Sequence, residues 1–504
     1  MAEHFERENK YVVSSDFVVP PLPGVKSAQS ALRTDQLSAT YYDSPDLRLA
    51  RAHVTLRRRT GGDDAGWHLK LPVAPGAREE IHRPPSTPSE EGAPPDDLID
   101  LVSAHLRGQP LKPVARIDTA RTRWVARDRS GRQLAEVADD QIIGRTLGAT
   151  TSTERWREIE VELLEGDETW LRRADRELTA AGATSGSSSK LDRVLADRIP
   201  AHPAARRPRG ASRGSTAEVL WEYLAAQYAE LLDRDPAVRR DAPDAVHKMR
   251  VATRRLRSTL RTFSRDLDQN RASRLDAELK WLASALGEVR DREVQIERFT
   301  AQLAELPRDL VLGPVQARVD QTLLTAYHDG RRRLLAALAS DRYHALLDDL
   351  ESFLSAPTAT KRGHRPARAE VRRRVNKAHR RLDRRLRRAR RATPGVDRDE
   401  AQHRARKAAK RLRYAAEVAR PIEGKRAKKL AKQAESIQEL LGDRQDAVVA
   451  RGICRDLAVA AHGEADETSF TFGLLLGDER CRASEADRKV FTKWAHGIPN
   501  KYRL

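Results

Sequence analysis

The chain has 504 residues, more than one ordinary hydrophobic core organises, which calls for two or three domains. Lys and Arg outnumber Asp and Glu by 94 to 74, giving a formal net charge of +20 and a pI near 10.2, so its partners are anionic: nucleic acid, an anionic membrane surface or polyphosphate. Two cysteines exclude a disulfide scaffold and a Cys-rich zinc site. No run of about 18 apolar residues offers a membrane span, and the charged start Met1–Lys10 has no apolar signal core, so the chain reads as cytoplasmic, without membrane insertion.

Residues 1–198 alternate short β-like runs with Gly/Pro/Asp turns. The runs are Arg7–Val13, Ala52–Arg59, Trp67–Leu71, Gln133–Val137 and Arg157–Leu164, and proline breaks at Arg83–Pro88 and Gly92–Pro95 punctuate them. Asp96–Leu106 and Asp167–Ala181 read as helices. This is an α+β or β-barrel domain. Residues 199–215 are rich in Pro, Ala, Ser, Gly and Arg, the composition of a linker.

Long amphipathic helices begin at 216, and a second break at 355–367 divides them into halves of about four helices each. Between Val371 and Arg391 stand twelve Lys/Arg and one acid, Asp383. Val371, Val375, Ala378, Leu382, Leu386 and Ala389 keep a helical apolar rhythm through that run, which predicts a helix with a very basic exterior.

Charged residues in the first domain alternate with period 2, which places them on one strand face. Glu6, Glu8 and Lys10 do so, as do Arg57 with Arg59, Arg121 with Arg123, and Glu158, Glu160 and Glu162. Lys70 lies in Trp67–Leu71 and Lys190 in Ser189-Lys190-Leu191. On any single strand this is the wet face of a half-covered sheet. If the sheet closes, the same faces line a lumen. Carboxylates there bind hard divalent cations, and Arg and Lys bind phosphate, so a lumen of both signs suits a metal–polyphosphate chelate.

Together these residues resemble the triphosphate tunnel metalloenzymes, the CYTH domain. The likeness is carried by Glu6-x-Glu8-x-Lys10, Tyr42-Asp43-Ser44-Pro45-Asp46-Leu47-Arg48-Leu49, Thr55-Leu56-Arg57-Arg58-Arg59, Trp67-His68-Leu69-Lys70, Ala135-Glu136-Val137-Ala138-Asp139-Asp140 and Glu158-Ile159-Glu160-Val161-Glu162, in the family's order. The resemblance implies an eight-stranded antiparallel tunnel that binds a triphosphate with Mg²⁺ or Mn²⁺. It implies metal on Glu6, Glu8, Glu160 and Glu162. It implies phosphate on Lys10, Arg57, Arg59, Lys70 and Lys190, joined by Arg121 or Arg123. Glu136 and Asp139 become candidates for metal or water positioning, with Asp140 a rival to Asp139. The chemistry implied is metal-assisted hydrolysis of a terminal phosphoanhydride. No Walker-type phosphate loop is present, which argues against a P-loop NTPase.

The helical half is duplicated. His247-Lys248-Met249-Arg250-Val251-Ala252-Thr253-Arg254-Arg255-Leu256-Arg257 returns, 156 positions later, as His403-Arg404-Ala405-Arg406-Lys407-Ala408-Ala409-Lys410-Arg411-Leu412-Arg413. Leu286-Gly287 with Asp291 returns as Leu441-Gly442 with Asp446, and Ala217-Glu218-Val219 as Ala369-Glu370-Val371. His247, Arg250, Arg254, Arg257 and Arg261 step by 3 and 4, as do His403, Arg406, Lys410 and Arg413, so each set shares one helix face. Such faces can follow a linear phosphate chain. Gly287 and Gly442 read as structural, permitting a helix end or a close helix approach. Asp291 and Asp446 read as caps or as partners of the basic face.

These helices resemble the conserved histidine α-helical domain, CHAD, a duplicated four-helix-bundle fold that binds inorganic polyphosphate and commonly follows a CYTH domain in bacteria. The resemblance runs over about 216–497, with repeats near 216–355 and 367–497. It implies polyphosphate contacts at His247, Arg250, Arg254, Arg257, His403, Arg406, Lys410 and Arg413, with Arg255, Arg411, Arg373, Lys377 and Arg380 as further candidates. The duplication predicts two basic helices related by a pseudo-twofold and forming one continuous surface.

Three functions remain open at this point. One is a polyphosphate-binding protein with a triphosphatase tunnel. The second is a catalytically silent binder recruited to polyphosphate granules. The third is a nucleic-acid-binding protein, which the 5% aromatic content disfavours for single strands; DNA is then bound only nonspecifically, at low salt. Adenylyl cyclase chemistry shares the tunnel fold in the family.

Overall fold

The computed structural model describes residues 8–25, 33–74, 77–85, 93–186, 189–200, 212–355, 360–463, 468–494 and 497–504. The chain divides into two compact units, Met1–His202 and Pro203–Leu504.

The first unit is built on one antiparallel sheet. Its strands are β1 (Glu8–Val13), β2 (Arg33–Asp43), β3 (Thr55–Thr60), β4 (Gly66–Ala74), β5 (Ala77–Arg83), β6 (Lys112–Arg127), β7 (Gln133–Thr146), β8 (Thr153–Leu163) and β9 (Thr184–Gly186), in the order β5-β4-β3-β2-β6-β7-β8-β1-β9. Among the described residues the sheet thus has nine strands where eight are expected, and the three-residue β9 pairs with the edge of β1 that β8 leaves open. Four helices accompany it: α1 (Arg48–Arg51), α2 (Asp96–Leu106), α3 (Glu168–Ala180) and α4 (Lys190–Leu195).

The period-2 alternation sorts residues between the faces. Tyr11, Val137, Ile159 and Val161 point outward and pack on Trp170, Ala174 and Leu178 of α3. Leu56, Leu69 and Ile81 point outward and pack on Leu98, Leu101 and Val102 of α2. Each helix is fixed by its own sequence: Asp167 caps α3 by accepting from the Trp170 N–H at 2.7 Å. The inner face carries the charges. At one end it turns apolar, with Ala39, Tyr41, Ile117, Ile142 and Trp156, and Leu191 and Leu195 of α4 pack there as a plug. Gly144 makes room for it, since a Cβ would stand 2.4 Å from Val194 Cγ2. The Tyr42–Leu49 motif is a buried turn: Asp43 accepts from the N–H groups of Ser44, Leu49 and Ala50.

The second unit is helical. The first half holds α5 (Thr216–Arg239), α6 (Ala245–Thr262), α7 (Gln269–Glu305), α8 (Val315–Leu338) and α9 (Asp341–Ser355). The second holds α10 (Ala367–Arg391), α11 (Val396–Val418), α12 (Arg420–His462, bent at Gly424) and α13 (Phe470–Lys493). The first half therefore has five helices among the described residues where four are expected. α10 buries all six apolar positions of its basic run, from Val371 to Ala389. The starts of α5 and α10 are bonded reciprocally, Thr216 N–H to Arg365 O and Ala367 N–H to Gly214 O, both at 2.9 Å, which joins equivalent points of the two repeats. No helix among the described residues is long and apolar enough to cross a membrane.

Candidate functional site

Strand register defines the inner face. β1 and β8 oppose Glu8 with Glu162 and Lys10 with Glu160. β7 and β8 oppose Glu136 with Glu162 and Asp140 with Glu158. β6 opposes Arg121 to Asp140. β2 opposes Asp35 to Arg121 and Tyr41 to Arg57. β3 opposes Arg57 to His68, and β4 opposes Lys70 to Glu80. One face thus carries Glu8, Lys10, Arg57, Arg59, Lys70, Arg121, Arg123, Glu136, Asp140, Glu158, Glu160 and Glu162. Glu6 lies outside the described residues.

Two expectations need correcting. Asp139 is a cross-strand partner of Ile159, on the outer face, and its carboxylate is held by the Arg157 guanidinium at 2.7 and 2.8 Å. The position on the inner face belongs to Asp140, which is fully buried. The choice between Arg121 and Arg123 also dissolves: two residues apart on β6, both face inward. Arg121 binds Asp140 and Glu160, and Arg123 binds Asp35, with Glu136 3.7 Å away.

Lys190 reaches the face from helix α4 and not from a strand. It is the first helical residue after Ser189, which forms a capping box with Asp192. Its ammonium lies 2.6 Å from Glu160, 2.8 Å from Asp140 and 3.5 Å from Glu158. Lys10 lies 2.9 Å from Glu8 and 3.2 Å from Glu160. Burial opposes the charge on Glu160, but Lys190, Lys10 and Arg121 outweigh it and hold its carboxyl well below the usual range. Burial likewise opposes the charges on Lys10 and Arg121, and the surrounding carboxylates raise both pKa values.

The face is concave. On a flat sheet β2 and β8 are three strand spacings apart, about 14 Å. Tyr41 of β2 and Trp156 of β8 nevertheless share one buried cluster with Leu191 and Leu195 of α4. Burial opposes ionisation of Tyr41, but Arg57, Arg59 and Lys190 lower its pKa. Tyr41, Asp35, His68 and Glu80 were not singled out from the sequence. Glu80 takes His68 at 2.8 Å, Lys70 at 3.0 Å and Arg57 at 3.6 Å, and the pairing of Lys70 with Glu80 across β4 and β5 was the available signal.

The donor chemistry fits a hard divalent cation. Glu8 and Glu162 are directly opposed, Glu160 follows on the same face, and Glu158 Oε2 is buried without a hydrogen bond, Lys190 Nζ standing 3.5 Å away. Among the described residues no three such groups are assembled to enclose an ion; the carboxylates are held instead by Lys10, Lys190 and Arg121.

In the helical unit α6 packs against α11. Met249, Ala252 and Leu256 of α6 are buried, as are Ala405, Ala408 and Leu412 at the equivalent places of α11. The basic faces meet. Arg254 feels Arg250 and Arg406, and Lys410 feels Arg406, Arg254 and Arg250. Burial first, then those three guanidinium groups, push Lys410 down to about 6, against a weaker pull from Asp446. Burial lowers the pKa values of His247 and His403, helped by Arg290, Arg254 and Arg250 at the first and by Lys407, Arg406 and Lys410 at the second.

Arg257 and Arg413, again equivalent, are neutralised instead: Arg257 by Asp276 at 3.1 Å, Arg413 by Glu417 at 3.1 Å and Glu435 at 2.7 Å. Arg255 is bound to Glu417 and Arg373 to Glu370. Gly287 and Gly442 sit mid-helix and end nothing. Arg250 and Arg406 lie over them, with guanidinium nitrogens 3.4 and 3.2 Å from where a Cβ would be. Asp291 and Asp446 are likewise mid-helix, and Asp291 accepts from Arg250 at 3.0 Å.

The CYTH domain family matches residues 4–194 and the CHAD domain family residues 222–455. An uncharacterized protein of Mycobacterium tuberculosis is 38% identical over 506 residues, covering 95% of each chain. The chain belongs to the CYTH–CHAD proteins. Its CYTH domain is of the superfamily of triphosphatases and adenylyl cyclases, whose tunnels are typically dependent on divalent metal, and CHAD is a polyphosphate-associated domain. Among solved structures, PptA from Streptomyces chartreusis is 24% identical with a TM-score of 0.44, covering 55% of this chain and 98% of its own. The CHAD domain from the plant Ricinus communis is 24% identical with a TM-score of 0.45, covering 57% and 94%.

Proposed function

We propose that this CYTH–CHAD protein binds inorganic polyphosphate through the twin helices α6 and α11 and hydrolyses a terminal phosphoanhydride, tripolyphosphate first, in its tunnel. The observation that supports the tunnel reading is the mixed-sign concave face, closed at one end by the apolar α4 plug. Lys10, Arg57, Arg59, Lys70, Arg121, Arg123 and Lys190 bind the phosphate oxygens and stabilise charge on the transferred phosphoryl group. Glu8, Glu160 and Glu162, with Glu6, would hold Mg²⁺ or Mn²⁺, which when bound neutralises phosphate charge and polarises phosphorus.

Glu136, loosely held 3.7 Å from Arg123, orients the attacking water and accepts its proton. The water oxygen bonds to the terminal phosphorus and the bridging P–O bond breaks, releasing orthophosphate and pyrophosphate. The α4 plug keeps other water from that end.

The helical site supports a second, non-catalytic role. Its cations crowd one another, Asp291 and Asp446 offset only part of the charge, and a phosphate chain supplies the rest. The test is phosphate release from tripolyphosphate by the full chain with Mg²⁺ or Mn²⁺. Turnover abolished by Glu160→Gln is expected. A folded, metal-supplied protein that releases no phosphate overturns the catalytic reading, and cyclic AMP formed from ATP replaces it with a cyclase.

A further inference from the structure

The CHAD unit carries a second cationic concavity away from α6 and α11. Its volume is about 400 Å³, and it is lined by Arg426, Lys429, Lys432 and Gln433 of α12 and by Lys501 and Tyr502. That size suits a small ligand. Between Gly424 and Gln433 the chain has five Lys/Arg and no acid. The flanking acids have their ion pairs elsewhere, Glu423 with Arg372 and Arg368 and Glu435 with Arg413, and Glu423 feels Arg426 only after Arg372 and Arg368. None of Arg426, Lys429, Lys432 and Lys501 makes an ion pair among the described residues. Four cations that line one concavity without a paired carboxylate form an electropositive pocket.

The far wall is a short 3-10 turn, Asn500–Tyr502, that is pinned in place. Asn376 donates to Leu504 O at 2.6 Å, Arg426 donates to Arg503 O at 2.7 Å, and the Ile498 N–H donates to Asp383 at 3.2 Å. Trp494 and Ile498 are buried beneath it. The Lys501 ammonium lies 5.4 Å from the Tyr502 ring centre, which holds it at the rim. The site is separate from the twin-helix site. Gly442, where α12 meets Arg406, is thirteen residues from Lys429, about 20 Å along the helix. At about 100° per residue, Arg426 and Lys429 also turn away from the Gly442 face, and Lys432 lies about a quarter turn from it.

We propose that this pocket between α12 and the C-terminal turn is a second binding site for an inorganic phosphate chain, which clamps the turn against α12 when occupied. The proposal rests on the polyphosphate reading above for its ligand class. A concave pocket walled by a turn admits a narrow phosphate chain and excludes a stiff duplex. Bound phosphate bridges Lys501 on the turn to Arg426, Lys429 and Lys432 on the helix, adding ties that the free protein lacks.

The experiment follows backbone amide exchange of residues 497–504 in the full chain, with and without tripolyphosphate, with long polyphosphate, and with duplex DNA. Both phosphate ligands are expected to slow exchange of this segment about tenfold or more, and DNA is not. Lys429→Gln combined with Lys432→Gln and Lys501→Gln is expected to abolish the slowing and leave binding at the twin helices intact. Arg250→Gln with Arg406→Gln is expected to do the reverse. Protection that survives the triple substitution, or that DNA gives equally, overturns the second site. Loss of long-polyphosphate binding from the parent chain overturns the ligand reading itself, and that is seen in the binding isotherm independently of exchange at the turn. The substituted residues lie at the surface, so folding of the variant is checked by its unchanged melting temperature.

Discussion

The two candidate anion-binding regions of this chain handle their own charge in opposite ways. The tunnel is internally balanced. Lys10, Lys190 and Arg121 each hold Glu160, and every one of these groups is driven further into its charged form. The helical site is internally strained: Arg250, Arg254, Arg406 and Lys410 repel one another, and burial with that repulsion pushes the Lys410 pKa down. A balanced site has to exchange partners when a ligand arrives: Glu160 would turn from Lys10 and Lys190 to a divalent cation, and those lysines would turn to phosphate. A site with excess cations, where Asp291 and Asp446 offset only part of the charge, needs only the anion. The difference separates a site suited to a reaction from a site suited to attachment.

The largest effect that breaks this comparison is at Glu160. Glu160→Gln removes the acid shared by three cations and is expected to lower phosphate release from tripolyphosphate by at least about 100-fold. Affinity of the same variant for long polyphosphate stays unchanged, because Arg250, Arg254, Arg406 and Lys410 are untouched. Parallel assays of turnover and binding read both; a matching fall in binding shows that the tunnel is the main polyphosphate site.

The next effect is pH dependence in the helical site. Lys410, facing Arg406 of its own helix, Arg254 and Arg250 of α6 and Asp446 of α12, is pushed down to about 6 without ligand. A phosphate chain favours its ammonium form and raises that value. Between the two values binding takes up a proton, so affinity falls as pH rises from about 6, by at most about tenfold per unit for one proton. The stability of the free protein runs the other way. Folding lowers this pKa below its ordinary 10.5, so the unfolded chain binds more protons and Lys410 makes stability rise with pH across that window. Lys410→Arg is expected to flatten the affinity profile, measured by calorimetry from pH 6 to 8. A profile as steep as the parent's assigns the proton to His247 or His403.

Much of this was legible in the sequence because it was periodic. Period 2 put Glu160 beside Glu158 and Glu162, and strand register then carried that face across nine strands. Period 3–4 grouped Arg250 with Arg254 and Arg406 with Lys410, and it also grouped Arg257 and Arg413 with them. Those two lie on the same face, and what separates them is Asp276 and Glu435 from neighbouring helices, together with Glu417 one turn after Arg413 on α11 itself. Asp139 and Asp140 are adjacent, and a one-residue choice reverses the face; only the pairing of Asp140 with Arg121 decides it. Lys190 sits on a helix whose capping box, Ser189 with Asp192, is readable, whereas its placement at the tunnel's inner end depends on Gly144 three strands of sequence earlier. The two glycines of the helical repeat were recognised as paired, but the guanidinium groups above them were not, since nothing local reports a side chain from another helix.

The face assignment on β7 is sharpened by a pair of variants. Asp140→Asn releases Arg121 and Lys190 and is expected to lower turnover about tenfold. Asp139→Asn breaks only the outer pair with Arg157, which costs about 1 kcal/mol of stability and leaves turnover within about twofold. Steady-state phosphate release from both variants checks the register; equal losses place both carboxylates at the chemistry.

The smallest effect is at the helical glycines, and it carries opposite signs for stability and binding. Gly442 is in the interior of α12, so Gly442→Ala should stabilise the helix by up to about 1 kcal/mol. The added Cβ would lie 3.2 Å from a guanidinium nitrogen of Arg406, so that flexible end must move by a few tenths of an ångström. A displaced guanidinium keeps its charge and loses hydrogen-bond alignment, which weakens polyphosphate binding about twofold to threefold. Gly287→Ala, with 3.4 Å to Arg250, has the looser fit and the smaller loss. A higher melting temperature with lower affinity, and the larger shift at Gly442, is the expected pattern. A rise in both would show that Arg406 reaches the ligand without resting on α12, and that the glycine serves helix packing alone.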